Sequence, residues 1–251
     1  MLLTPLEQFQ IISFFSIKLF CFDFSITNIF LTNLLTVFFL CFIVFFNIKT
    51  NAFFLTPNLW QTFIETIYNI IIQLLFDNLN KKGEQYFPFI TVLFLFILLS
   101  NLIGLIPYSF TVTSHLIVTF TLSFTVFIGV NIIGIKIHKL NMLSFFLPAN
   151  TSFGLALLLV PIEFISYIFK PISLGVRLFA NLMAGHTLLK VIVGFAWSIL
   201  LLDNFFLSIF HIVPLLILIL LMGLELGVAI IQAYVFTILT CIYLNDSINL
   251  H

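Results

Sequence analysis

Runs of about 18 or more apolar residues, the length at which a helix crosses or lies within a bilayer, recur along this chain. No other feature limits the possible folds so tightly. Composition agrees: 62% of the 251 residues are hydrophobic, 35 are Phe, and the mean hydropathy is +1.28. Charged residues make up 7%, against about 25% in an average soluble domain. A soluble globular domain is excluded, and the class is an all-α polytopic membrane protein.

The formal net charge is zero, so nothing supports long-range attraction to nucleic acid or to acidic substrates. Cys21, Cys41 and Cys241 are far apart and flanked by apolar residues. They read as small packing residues rather than a zinc site or a disulfide framework. The N-terminus MLLTPLEQFQIISFF carries neither a secretory pattern nor an Arg-rich transit pattern. An organellar member of this class would therefore be made inside the organelle.

The chain reads as a single membrane domain, 1–251, in six parts. An N-terminal segment, 1–28, precedes a first span at 29–47, which ends near Lys49. Pro57 opens an amphipathic segment, 57–82, whose Glu65, Asp77, Lys81 and Lys82 suit a helix lying along the membrane surface. Residues 87–138 read as a helical hairpin with spans at Phe87–Ile106 and His115–Ile135 and the uncharged turn PYSFTVTS, which contains Pro107. If the spans alternate, Lys49, Lys81, Lys82, Lys136 and Lys139 share one side, and the positive-inside bias puts the N-terminus on the other. Two nearly continuous apolar stretches follow, 143–202 and 205–246, with a turn at Asp203 and Asn204. Hydropathy divides them into three or four spans, or equally into two long tilted helices.

The first of these stretches carries SLGVRLFANLMAGHTLLK, Ser173 to Lys190. An Arg at the bilayer centre costs roughly 2.5 to 3.5 kcal/mol on insertion scales, and a guanidinium stays protonated. Glu163, Glu225, a water-filled cleft or an acid on another protein must compensate Arg177. At about 100° per residue, Glu163, Lys170, Ser173, Asn181 and Ala184 fall within about 40° of Arg177, whereas His186 projects about 180° away. On the last segment Glu225, Gln232 and Asp246 lie within about 60° of one another. Set antiparallel, the two segments bring Glu225 near His186 and Asp246 near Glu163.

Blander readings exist for the single residues. A lone intramembrane Glu or His is also explained by a hydrogen bond to a neighbouring helix. Lys170 or Lys190 can snorkel, Lys190 above all. GLELG, Gly223 to Gly227, reads as a helix-packing motif. For Arg177 a purely structural role is disfavoured, because a neutral residue would be cheaper.

At these residues the chain resembles subunit a of the F-type ATP synthase, particularly its mitochondrial form. SLGVRLFANLMAGH is similar to the family's arginine-bearing signature, NLIGLIPYSFTVTSH to its hairpin turn, and PLEQFQI to the start of organellar members. EFISYIFKPISLGVR, LELGVAIIQAYVF and IYLND extend the likeness over most of the chain. The resemblance implies a stator subunit beside a rotating c-ring, with one to three upright spans, a surface helix and two long tilted helices forming a hairpin. It implies that Arg177 faces the c-ring carboxylate and that Asn181 and Gln232 flank it. His186 and Glu225 would serve the inlet half-channel, and Glu163 and Asp246 the exit half-channel. The implied partners are the c-ring, peripheral-stalk and other Fo subunits, membrane lipid and protons. The implied location is the mitochondrial inner membrane, the bacterial plasma membrane being the alternative.

A proton-conducting subunit of a respiratory-chain complex is the competing function. Paired axial histidines for haem are missing, since His115 and His138 sit at span ends and His211 near a turn. A chain of mid-span lysines is missing too. A free-standing ion channel is a further alternative, and a membrane subunit that conducts nothing would leave Arg177, Glu163, His186 and Glu225 unexplained. No phosphate loop or metal-ligand cluster is present, so no catalytic site, nucleotide site, cofactor or metal is expected.

Overall fold

A computed structural model describes residues 6–16, 18–19, 22–49, 59–106, 109–139, 153–201 and 212–249. Cys21, Pro57, Pro107, His211, the expected turn at Asp203 and Asn204, and the expected beginning of the long helix at Leu143 lie outside these residues.

Six α-helices carry the described chain: α1 Asn28–Lys49, α2 Leu59–Leu79, α3 Phe87–Gly104, α4 Leu116–His138, α5 Phe153–Leu200 and α6 Ile212–Ile248. Among the described residues, α2 to α6 are long and apolar enough to cross a membrane. The alternative left open by hydropathy has its answer in α5 and α6, which are unbroken helices of 48 and 37 residues. At 1.5 Å per residue they measure about 72 Å and 55 Å, roughly twice what a perpendicular crossing of hydrocarbon needs. Pro161 and Pro171 lie inside α5.

A small β element precedes the helices of this all-α protein. Strand β1 Ser13–Phe15 pairs antiparallel with β4 Ile26–Thr27, and β2 Lys18–Leu19 pairs with β3 Phe22–Asp23. Asn28 ties this ribbon to α1: its Oδ1 accepts from the Ile29 and Ile12 amides, and its Nδ2 donates to the Gln10 carbonyl. The side chain thereby satisfies one of the donors that every helix N-terminus leaves unpaired.

The chain divides into two compact units. Met1–Ile48, Leu95–His115 and Leu178–Ala233 form one; Lys49–Phe94, Leu116–Arg177 and Tyr234–His251 form the other. In the first unit, the turn after α3 is polar yet closed upon itself. Ser109 Oγ donates to the carbonyls of Ile103 and Gly104, Thr111 Oγ1 donates to Ser114 Oγ, and Ser114 Oγ donates to the Thr111 carbonyl. Gly104 is needed there, because a Cβ would stand 2.8 Å from the Thr111 methyl.

His115 ends that turn with its ring stacked on Phe110, centroids 5.1 Å apart. Burial lowers its pKa below the ordinary 6.5, so folding disfavours the protonated ring. The burial costs nothing above pH 6.5, where the ring is neutral whether folded or unfolded, and destabilises the fold as pH falls below it. Hydrogen exchange at the Val112–His115 amides, corrected for intrinsic rates, should accelerate on acidification to about pH 5. His115→Phe should remove that acceleration; an equal acceleration in both proteins would contradict the assignment.

In the second unit, α4 and α5 approach closely because small residues meet. A Cβ on Gly175 would lie 2.8 Å from Ser123 Oγ and 3.2 Å from the Thr119 carbonyl, the arrangement by which helices pack where no hydrophobic force draws them together. His138, at the end of α4, sets Nε2 2.9 Å from the Ile248 carbonyl, giving a helix-terminal acceptor a partner. The packing role expected of the cysteines holds for Cys241, which is fully buried; Cys41 is exposed on α1. On GLELG, a Cβ on Gly223 or Gly227 would touch nothing within 4 Å among the described residues.

Candidate functional site

Periodicity explains how α5 and α6 present polar groups in the first unit. On α6, Glu225, Ala229, Gln232 and Ala233 are buried; their spacing of four, seven and eight makes one stripe. On α5, Leu178 and Leu182 are buried, and Gly185 shares their side. Projected from Leu178, Asn181 falls about 60° to one side and His186 about 80° to the other. Both therefore reach round the apolar centre of the contact toward α6.

Asn181 Nδ2 donates to Gln232 Oε1 at 2.9 Å. His186 Nδ1 lies 3.3 Å from Glu225 Oε1. As the α5 index rises, the α6 index falls, so within this unit the helices run antiparallel. Gly185 makes room for the acid, because a Cβ there would stand 2.8 Å from Glu225 Oε1. The pair is enclosed, with Glu225 only 5% exposed. Yet Glu225 Oε1 and Oε2 and His186 Nε2 have no hydrogen-bond partner among the described residues; the 3.3 Å contact brings the two side chains together without hydrogen-bonding alignment.

Asn101 belongs to the same unit and was missed from sequence, where NLIGLIPYSF suggested only a turn. It is fully buried on α3 and donates from Nδ2 to the Ala229 carbonyl at 3.3 Å, while its Oδ1 has no partner among the described residues. Its one legible signal was an amide inside an apolar span.

The second unit holds the remaining candidates. Asp246, expected beside Glu163, makes its ion pair with Lys170: Nζ to Oδ2 is 3.1 Å. Glu163 is half-buried with Oε2 unpartnered among the described residues. Arg177 is exposed and makes neither a hydrogen bond nor an ion pair among the described residues. Tyr243 and Asp246 lie within electrostatic range of each other, and Arg177 within range of Tyr243. Further along α5, Ala180, Asn181 and Ala184 are exposed as well. No group of three His, Cys, Asp or Glu able to hold a metal ion occurs among the described residues.

These features define a polytopic α-helical membrane protein whose two longest helices present carboxylate, imidazole and amide groups to one another and a bare guanidinium to the exterior. The family model for the ATP synthase A chain matches residues 29–245. The chain is 54% identical over 250 residues to ATP synthase subunit a of Pylaiella littoralis, covering 99% of each chain. It is 50% identical over 248 residues to that of Chondrus crispus and 49% identical over 252 residues to that of Brassica napus, covering 99% of this chain and 97% of the relative in both cases. The chain belongs to the ATP synthase A chain family, a membrane subunit of the Fo sector.

Proposed function

We propose that the chain is the stator subunit that carries protons past the c-ring through two half-channels, without a catalytic site of its own. The observation that carries this reading is the enclosed His186 and Glu225 pair with its three unpartnered polar atoms. A buried unsatisfied polar group costs about 1 to 3 kcal/mol, so an apolar pair would be cheaper at this place. Groups of this kind are retained where water or protons pass.

On this reading a proton enters by way of Glu225 and His186 and neutralises a c-ring carboxylate. The neutral acid can then turn through lipid, which the charged form could do only at great cost. When the carboxylate returns to Arg177, the fixed cation favours its ionised form, and the proton leaves toward Glu163 and Asp246. Asn181 and Gln232, hydrogen-bonded to each other, hold the flank of the arginine's helix. Arg177 separates the two paths, because protons avoid a permanent cation. Each proton falling through about 100 mV supplies about 2.3 kcal/mol, used for ATP synthesis in the catalytic head. The partners are the c-ring, peripheral-stalk and other Fo subunits and lipid, in the mitochondrial inner membrane.

The exposed side of α5 provides a direct test. In a Cys41→Ser background, Ala180→Cys and Ala184→Cys should form disulfides with a cysteine placed one turn from the c-ring carboxylate, whereas Leu182→Cys, on the buried side, should not. Cross-linking through Leu182→Cys alone would turn the helix the wrong way round and sink the proposal.

A further inference from the structure

Lys170 has no part in the mechanism above, yet it is the most elaborately held cation among the described residues. Its Nζ lies 3.1 Å from Asp246 Oδ2, 5.4 Å from the centre of the Tyr167 ring and 5.1 Å from that of Tyr243. Both distances suit cation–π contact. The rings are braced in turn. The Tyr167 hydroxyl donates to Asn131 Oδ1 on α4, and its ring rests against Phe127, centroids 5.0 Å apart. Residues of α5 and α6 thus meet at a single ammonium group, and α4 braces one of its rings. A lysine that merely snorkels needs no such enclosure, and a surface ion pair contributes little.

We infer that Lys170 is a positioning residue of the exit path, which fixes the Asp246 carboxylate where protons are handed on. The inference rests on the proposed function. Asp246 stands two residues before the last residue of α6, in a turn where helices ordinarily fray. His138 holds the backbone of that turn at the Ile248 carbonyl, but the carboxylate itself is held by Lys170. Tyr167, Tyr243 and Arg177 are titratable or charged groups near the pair. Without the ammonium group, the acid would be free to turn away from α5, and proton release would slow.

The test uses the assembled complex in vesicles, with ATP synthesis driven by an imposed proton gradient. Lys170→Met should reduce the rate by about tenfold, within the range of coupling between residues in contact, while Lys170→Arg should keep at least about half of it. Asp246→Lys alone should be severely impaired, and adding Lys170→Asp to it should raise the rate by about threefold or more. No gain on exchanging the charges, or an unaltered rate in Lys170→Met, overturns the inference. If Lys170→Met does not assemble, the charge exchange decides. Arg177→Ala measured in parallel keeps the two ideas apart: impaired coupling there together with indifference at Lys170 rejects only the role of Lys170.

Discussion

Arg177→Ala is expected to abolish ATP-driven proton pumping, by at least about a hundredfold, equivalent to about 2.7 kcal/mol, while the complex still assembles. The structure explains why assembly should survive. Arg177 is exposed and makes no hydrogen bond or ion pair among the described residues, so its removal leaves no buried partner unsatisfied. Of the compensators weighed from sequence, an acid on another protein remains the best suited to an outward-facing guanidinium. On the proposed reading, Arg177→Ala should also open a passive proton leak in vesicles, since no fixed cation would then separate the two paths. Arg177→Lys should close much of the leak but restore little pumping, because an ammonium group lacks the planar fork that engages a carboxylate through two donors. Wild-type pumping in both variants would return Arg177 to a structural role.

The second large effect is expected at Glu225. Glu225→Gln keeps shape and removes the ionisable group. Neither carboxylate oxygen has a hydrogen bond to lose among the described residues, so the fold should tolerate the change. Proton-driven synthesis should fall by about a hundredfold, the lower end of what a positioned proton carrier contributes. Gly185→Ala tests the same place without touching a titratable group. Its Cβ would stand 2.8 Å from Glu225 Oε1, the far end of a flexible side chain, so the acid would swing aside while the helices stay packed. A shift of about 1 Å is enough to cost tenfold or more in rate. Gly223→Ala, whose Cβ would meet nothing within 4 Å among the described residues, is the matched control and should be silent. Equal rates in Gly185→Ala and Gly223→Ala would show that the His186 and Glu225 geometry is not what matters.

Several features of the site were open to sequence reasoning because helical periodicity is local. Spacing alone put Glu225 and Gln232 on one side of α6, and antiparallel pairing then set Glu225 beside His186, as found at 3.3 Å. The contact on Asp246 was not reached this way. Glu163 and Lys170 share a side of α5, and which of them meets Asp246 depends on how far one helix is shifted along the other. Lys170 prevails at 3.1 Å. Asn101 escaped for a similar reason, since its partner is a backbone carbonyl 128 residues away.

By itself the sequence determined the membrane class, the helical elements and the residues able to carry charge, since each follows from hydropathy, length and a period of 3.6 residues. Tertiary structure alone decided that, among the described residues, Gly185 rather than GLELG admits a close neighbour, and that Lys170 lies between tyrosines from two helices. The physical reason is that such contacts depend on helix offset and rotation. These are set by the packing of small and large side chains across an interface, and a single stretch of sequence carries only one half of it.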